Sequence, residues 1–367
     1  MSVERTPLDA LIRARIAHDG PMPIAIFMAL CLYDPDHGYY LRGDPLGAGG
    51  DFVTAPEVSQ MFGEMIGLWA AEVWQEIGTP AVVHLIEIGP GRGTMMLDAI
   101  RAARAAPEFR RALRVHLVEV SPALRQRQGQ TLRDAGDVPV RWHTTLAEVP
   151  PGPAIMLTNE FFDALPVHQA ERRPTGWHER RITVNAGDEL AFTLAAEPIA
   201  DFERHVPPAV AKAPVGAVFE WRTDRFATDL ASRVRQDGVA LVIDYGHEAS
   251  AAGDTFQAVR SHRYASPLAL PGRTDLTAHV DFAALARAAT TAGTRTHGPV
   301  EQGVWLKRIG IETRARTLAA AVAEDKRPRI AADLTRLVGT GPADMGSLFK
   351  AMAISAPHIT HLPGFRP

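Results

Sequence analysis

The sequence predicts an open α/β fold around a parallel sheet, and three observations predict it. Five short apolar runs, Val82 to Ile88, Val115 to Val120, Val140 to His143, Ile155 to Asn159 and Val239 to Asp244, alternate with longer stretches of helical pattern. Such runs read as strands buried on both faces, the setting of parallel strands between layers of helix. The first run leads straight into a glycine-rich turn, Gly89-Pro90-Gly91-Arg92-Gly93, and then into a helical stretch. Composition agrees: 367 residues, 46% hydrophobic and 22% charged, describe an ordinary folded chain and exclude disordered, collagen-like and disulfide-scaffold classes.

Residues 1–78 read as an N-terminal helical region. Leu8, Leu11, Ile12 and Ile16 stand at helical spacing, and Ile24 to Tyr33 is an apolar stretch about half as long as a membrane-spanning helix requires. No transmembrane segment or export signal is expected, and the chain reads as cytoplasmic. A loop rich in Gly, Asp and Pro follows from Asp34 to Asp51, longer than a connector needs. Thr54-Ala55-Pro56-Glu57 has the form of a capping box, which predicts a helix from Ala55 to Ile77.

The core is expected over residues 79–310. Between its fourth and fifth strands lies a segment too long for a crossover, read as an insertion at about 170–235: a β-rich arm, alternating from Trp177 to Leu194, then a helix. After Tyr245 the sequence predicts an irregular stretch to Arg273, a helix from Ala278 to Ala292 and a hairpin carrying Trp305-Leu306-Lys307. A C-terminal helical extension, 311–367, is expected to hold helices from Glu312 to Met352.

The charge sum, 39 basic against 42 acidic residues for a net −3, supplies no positive field for a phosphate backbone, so nucleic acid is not favoured as a partner. Cys31 is the only cysteine, which excludes internal disulfides and cysteine-based zinc sites, and no metal site is expected. Self-association is left open.

Candidate chemistry gathers at the ends of the predicted strands. Gly89 and Gly91 permit backbone angles and a close ligand approach that a Cβ would block. The spacing is Gly-x-Gly-x-Gly, closed by Gly93, with Glu87 two positions ahead, whereas the dinucleotide fingerprint expects Gly-x-Gly-x-x-Gly. Strand, turn and helix here resemble the class I methyltransferases that use S-adenosyl-L-methionine (SAM). Glu119, at the end of the second strand, is placed to accept both ribose hydroxyls of an adenosyl ligand. Asn159, Glu160 and Asp163 follow the fourth strand, where a transferred group is expected. No Pro-Pro pair stands there, which disfavours amide and base nitrogens as acceptors. Two carboxylates suit a guanidinium, whose planar fork makes paired hydrogen bonds.

A closer resemblance rests on Gly50-Asp51-Phe52-Val53-Thr54-Ala55-Pro56-Glu57-Val58-Ser59-Gln60-Met61-Phe62-Gly63-Glu64, Glu87 to Thr94, Val118 to Pro122, Asn159 to His168, Asp244-Tyr245-Gly246 and Asp275 to Phe282. Together these segments resemble the MidA family, whose eukaryotic members are mitochondrial complex I assembly methyltransferases. The chain departs from that pattern at Val300 to Leu306, where a Thr-Gln-Gly would be expected. The resemblance implies a SAM-dependent protein arginine methyltransferase with a protein substrate. For eukaryotic relatives it implies symmetric dimethylation of a complex I subunit in the mitochondrial matrix. On this reading Glu87, Gly89, Gly91, Gly93 and Glu119 hold SAM, the loop around Asp51 closes the pocket, and Glu160, with Asp163 and Asn159, orients the acceptor. The competing reading is a SAM-binding assembly or interaction protein that works through the inserted arm. A NAD-dependent oxidoreductase is a further one, although the sequence supplies no strong His or Lys catalytic motif.

Asp51 follows a glycine pair where no regular element demands a carboxylate, and functional loops sit on rigid scaffolds. Asp51→Ala is expected to reduce SAM binding or turnover sharply with little change in melting temperature; full activity would make it a turn residue.

Overall fold

A computed structural model describes residues 5–41, 54–260 and 263–365. The central sheet runs in the order Arg295–Glu301, Phe349–Ser355, Gly238–His247, Ala154–Asn159, Val83–Ile88, Leu113–Val118, Val140–His143. The last five are the core strands expected from the sequence, in spatial order fifth, fourth, first, second, third, and all of them pair in parallel. Every residue of the first core strand is buried, including His84 and Glu87 among its apolar neighbours, and the third, at the sheet edge, is only partly covered. Helices close both faces over two apolar clusters, one including Trp69, Phe109 and Trp305 and the other Phe162, Leu230 and Phe282.

The expected insertion is present as an antiparallel arm. His168–Arg173, Gly176–Val184, Leu190–Leu194 and Val218–Trp221 pair with one another and with Met22–Pro23, and helix Arg225–Val234 returns the chain to the fifth core strand. The arm is thereby anchored to the N-terminal helices Pro7–Asp19 and Ile24–Tyr33 through a shared apolar cluster that includes Leu8, Phe27 and Ile182.

Five expectations need correction. The helix read from Ala55 to Ile77 is two, Ala55–Val58 and Gln60–Glu76, broken at Ser59, whose backbone is extended (φ −160°, ψ 140°) and whose hydroxyl caps the second. Thr54 makes no side-chain cap and Glu57 accepts instead from the Thr94 hydroxyl at 2.7 Å, so the capping box does not form. The stretch before Arg273 is not wholly irregular, since Gln257–Arg260 and Arg263–Ala265 form a small sheet with Asp275–Thr277. Trp305 lies in helix Gln302–Arg308 and not in a hairpin, because strand Arg295–Glu301 finds its partner in Phe349–Ser355. Helix Arg327–Val338 is the last, and Phe349–Ser355, expected within the C-terminal helices, is a fully buried strand between Gly238–His247 and Arg295–Glu301. Its Ala- and Met-rich composition favours helix locally, and pairing on both edges overrides that preference.

Helix Gln60–Glu76 lies against Thr94–Ala102, the helix that leaves the glycine turn. Two glycines allow the approach: a Cβ on Gly63 would stand 2.8 Å from Asp98 Cβ, and one on Gly67 2.4 Å from the Ala99 carbonyl oxygen. Gly67→Val is expected to destabilise the protein by about 1–3 kcal/mol through overpacking, far more than the few tenths gained in helix propensity. Thermal unfolding measures it; an unchanged melting temperature would mean that the helices do not meet so closely.

Candidate active site

The first core strand has the second on one side and the fourth on the other, so the chain leaves its carboxyl end in opposite directions and a crevice opens there. A cleft of about 700 Å³ fills it. Glu87, the glycine turn and Glu119 line one part, and residues 159–161 and 163–166 line another. Tyr33, Tyr40, Pro56 and Glu57 come from the N-terminal region, while Arg225, Phe226 and Asp229 come from the helix that ends the arm.

Gly89, Gly91 and Gly93 all have left-handed backbones, with φ of +66°, +52° and +80°. A Cβ on Gly89 would come within 3.0 Å of the Phe161 ring. Gly93 does not line the cleft; it packs behind the turn against Gln128 and starts helix Thr94–Ala102 without a side-chain cap. Glu87 is 3% exposed, its Oε2 has no hydrogen-bond partner, and burial pushes its pKa up to about 8.

Glu119 stands just past its strand and is held in place. Its Oε1 accepts from the Ser121 amide at 2.8 Å and its Oε2 from Gln128 Nε2 at 3.2 Å. That same Nε2 donates to the Gly91 carbonyl at 2.8 Å, and Trp142 Nε1 donates to Gln128 Oε1 at 2.9 Å. Gln128 therefore ties the glycine turn to the acid of the second strand. Burial raises the Glu119 pKa, partly offset by these donors.

On the other side, Glu160 adopts φ +51°, a conformation that costs a non-glycine residue roughly 1–3 kcal/mol. Its Oε1 accepts from the Ala55 amide at 3.2 Å and from Asn159 Nδ2 at 3.0 Å. Burial, then the charge of Asp163, pushes its pKa up to about 8. Burial also raises Asp163, opposed by a hydrogen bond from Tyr245 and by the Arg222 charge. Asn159 Oδ1 and Asp163 Oδ1 are buried without a hydrogen-bond partner. The aromatic wall nearby is fixed too: Tyr33 stacks on Tyr40 at 5.8 Å, Tyr33 donates to the Ala164 carbonyl and Tyr40 to Asp275 Oδ1, both at 2.9 Å.

The fold thus brings Glu87, Gly89, Gly91, Glu119, Asn159, Glu160 and Asp163 to one cleft. Asp51 lies outside the described residues. Sequence reasoning missed Glu57, which was assigned to a cap, and Gln128, which lies within a polar helical segment and gives no local signal of burial. Of the stacked pair, Tyr33 closes the apolar stretch Ile24 to Tyr33 and Tyr40 falls in the loop from Asp34 to Asp51, and neither gave a sequence signal of a cleft wall.

Residues 65–300 match the model of a family described as "Putative S-adenosyl-L-methionine-dependent methyltransferase". The chain belongs to this methyltransferase family. It is 36% identical over 388 residues to the protein arginine methyltransferase NDUFAF7 homolog, mitochondrial, of Drosophila melanogaster, covering 96% of this chain and 86% of that one. Against protein arginine methyltransferase NDUFAF7, mitochondrial, of Homo sapiens, identity is 36% over 341 residues, or 85% of this chain and 75% of the relative. A crystal structure from Burkholderia thailandensis bound to S-adenosyl-homocysteine superposes with a TM-score of 0.85 at 28% identity, covering 97% of this chain and 93% of that one. The methyltransferase uses SAM as its methyl donor.

The cleft fits that donor: it offers an unpartnered buried carboxylate oxygen on Glu87 and a turn whose backbone a side chain would obstruct. Gly91→Val is expected to abolish binding of SAM and of S-adenosyl-homocysteine while the protein stays folded, since a β-branched residue is poorly suited to φ +52° and fills the ligand's path. Titration calorimetry beside circular dichroism checks this, and normal affinity would move the pocket elsewhere.

Proposed function

We propose that this enzyme methylates the guanidinium of an arginine on a partner protein, and that Glu160, assisted by Asp163 and Asn159, receives that guanidinium. The observation that carries the reading is the excess of acceptors at the end of the fourth strand. Glu160, Asp163 and Asn159 line one region of the cleft, and two of their side-chain oxygens, Asn159 Oδ1 and Asp163 Oδ1, are buried without a partner. An arginine side chain has five N–H donors and no acceptor, and its positive charge offsets the cost of two buried carboxylates. The arginine methyltransferase relatives support the same substrate class. A respiratory complex I subunit is the acceptor that the family resemblance suggests, and cytoplasmic action belongs to the same proposal.

On this reading Glu87 and the turn at Gly89 and Gly91 hold the methionine end of SAM, and Gly93 keeps the turn seated on Gln128. Glu119 keeps lone pairs free for the ribose hydroxyls after accepting from Ser121 and Gln128. SAM supplies an electrophilic methyl on a sulfonium: its S–C bond breaks as the N–C bond forms, and the thioether leaves neutral. Glu160 aligns the attacking nitrogen and takes up the proton that nitrogen must lose. Holding reactants at near-attack distance can supply about 7–11 kcal/mol of the barrier.

Glu160→Gln preserves size and removes charge. Affinity for S-adenosyl-homocysteine is expected to persist while kcat falls by about two orders of magnitude. Because ionised Glu160 is the competent form, kcat/KM for the wild type is expected to rise with pH through an inflection near 8. The limb in kcat lies lower, since a bound guanidinium favours the ionised carboxylate. A wild-type rate in Glu160→Gln, or a pH profile unchanged by it, would remove Glu160 from the chemistry.

A further inference from the structure

We infer that Asp244 is a positioning residue that fixes the turn presenting Glu160; this rests on the function proposed above. Asp244 lies in the fifth core strand, beside the fourth, and is fully buried. It does not line the cleft. The ladder between the two strands continues one step past the paired residues Asn159 and Ile243, where the Glu160 amide donates to the Ile243 carbonyl at 3.0 Å. Glu160 then turns left-handed and the chain leaves the sheet.

That departure strips the next three amides of strand partners. All three converge on one oxygen: Asp244 Oδ2 accepts from the amides of Phe161 at 3.1 Å, Phe162 at 2.9 Å and Asp163 at 3.3 Å. Its other oxygen accepts from the Tyr245 amide at 2.9 Å. Successive N–H groups converging on one oxygen form a nest, here filled by the Asp244 carboxyl.

The carbonyl side of the same turn is held by Arg222. Its Nη2 donates to the Asp163 carbonyl at 3.1 Å and its Nε to the Leu165 carbonyl at 3.1 Å, while Nη1 and Nη2 reach the carbonyls of His279 and Ala278. The buried Asp244 carboxyl thus grips the amides, and the half-buried Arg222 guanidinium the carbonyls, of the segment that begins at Glu160. Asp244 acts through that backbone and touches no reactant.

The test uses Asp244→Asn and Asp244→Ala in the full chain, with amide hydrogen exchange resolved at residues 161–163, calorimetry with S-adenosyl-homocysteine, and kcat and KM on an arginine acceptor. Exchange at these three amides is expected to quicken roughly tenfold or more while the core strands stay protected. Affinity for S-adenosyl-homocysteine should stay within about threefold, and kcat should fall about 100-fold in Asp244→Ala, the scale of a misplaced reacting group. Asp244→Asn, which retains one acceptor oxygen, should lie between it and the wild type. Unchanged exchange at residues 161–163 in Asp244→Ala overturns the inference. So does a loss of ligand affinity and melting temperature in step with kcat, which marks a residue of the fold alone. If Asp244→Ala does not fold, the near-isosteric Asp244→Asn decides by the same readings. A wild type that moves no methyl to arginine defeats the proposed function, and the exchange measurement still decides whether Asp244 holds the turn.

Discussion

The reversal of strand order around Val83–Ile88 is the constraint on which the rest of the structure depends. A parallel sheet is closed along its faces by helices, and only where neighbouring connections depart to opposite sides does its carboxyl edge open. The first core strand is flanked by the second and the fourth, so its end is that place. Glu87, the glycine turn, Glu119 and the segment from Asn159 to Asp163 all belong to the ends of these three strands. Chemistry carried by residues far apart in sequence becomes local for this reason.

Opening a crevice among buried strands leaves polar groups without partners, and the enzyme resolves this unevenly. Glu119 is satisfied by Ser121 and Gln128, and the turn after Glu160 by Asp244 and Arg222. In contrast Glu87 Oε2, Asn159 Oδ1 and Asp163 Oδ1 stay unpaired. An unsatisfied buried group costs about 1–3 kcal/mol, so on the proposed function these three atoms are places where a donor-bearing ligand would be rewarded. The ammonium group of SAM and the guanidinium of arginine are both donors without acceptors at those ends.

Much of this was legible in the sequence, for identifiable reasons. The core strands could be placed within a few residues because four of them are buried on both faces and leave predominantly apolar runs, while the third, Val140–His143, is partly covered at the sheet edge. Their ends then named Glu87, Glu119 and Glu160 as candidates, since ligands of open sheets bind at carboxyl edges. Phe349–Ser355 was not legible as a strand, because its partners lie far along the chain and its own residues favour helix. Glu57 satisfied a local capping pattern, and nothing local revealed that Thr94 would claim its carboxylate. Gly63 and Gly67 read as ordinary helix positions until the second helix is seen to lie on them. In each case the deciding partner is remote in sequence.

The central claim is that the acceptor-rich end of the fourth strand receives an arginine. The most direct measurement adds the purified enzyme and SAM with a labelled methyl group to a lysate of the organism that encodes it, and identifies the modified atom by mass spectrometry. The account expects label on a guanidinium nitrogen of a protein arginine, dependent on added enzyme. Label found on lysine, on glutamine or on RNA would contradict it, and would leave a SAM-binding fold with a different acceptor.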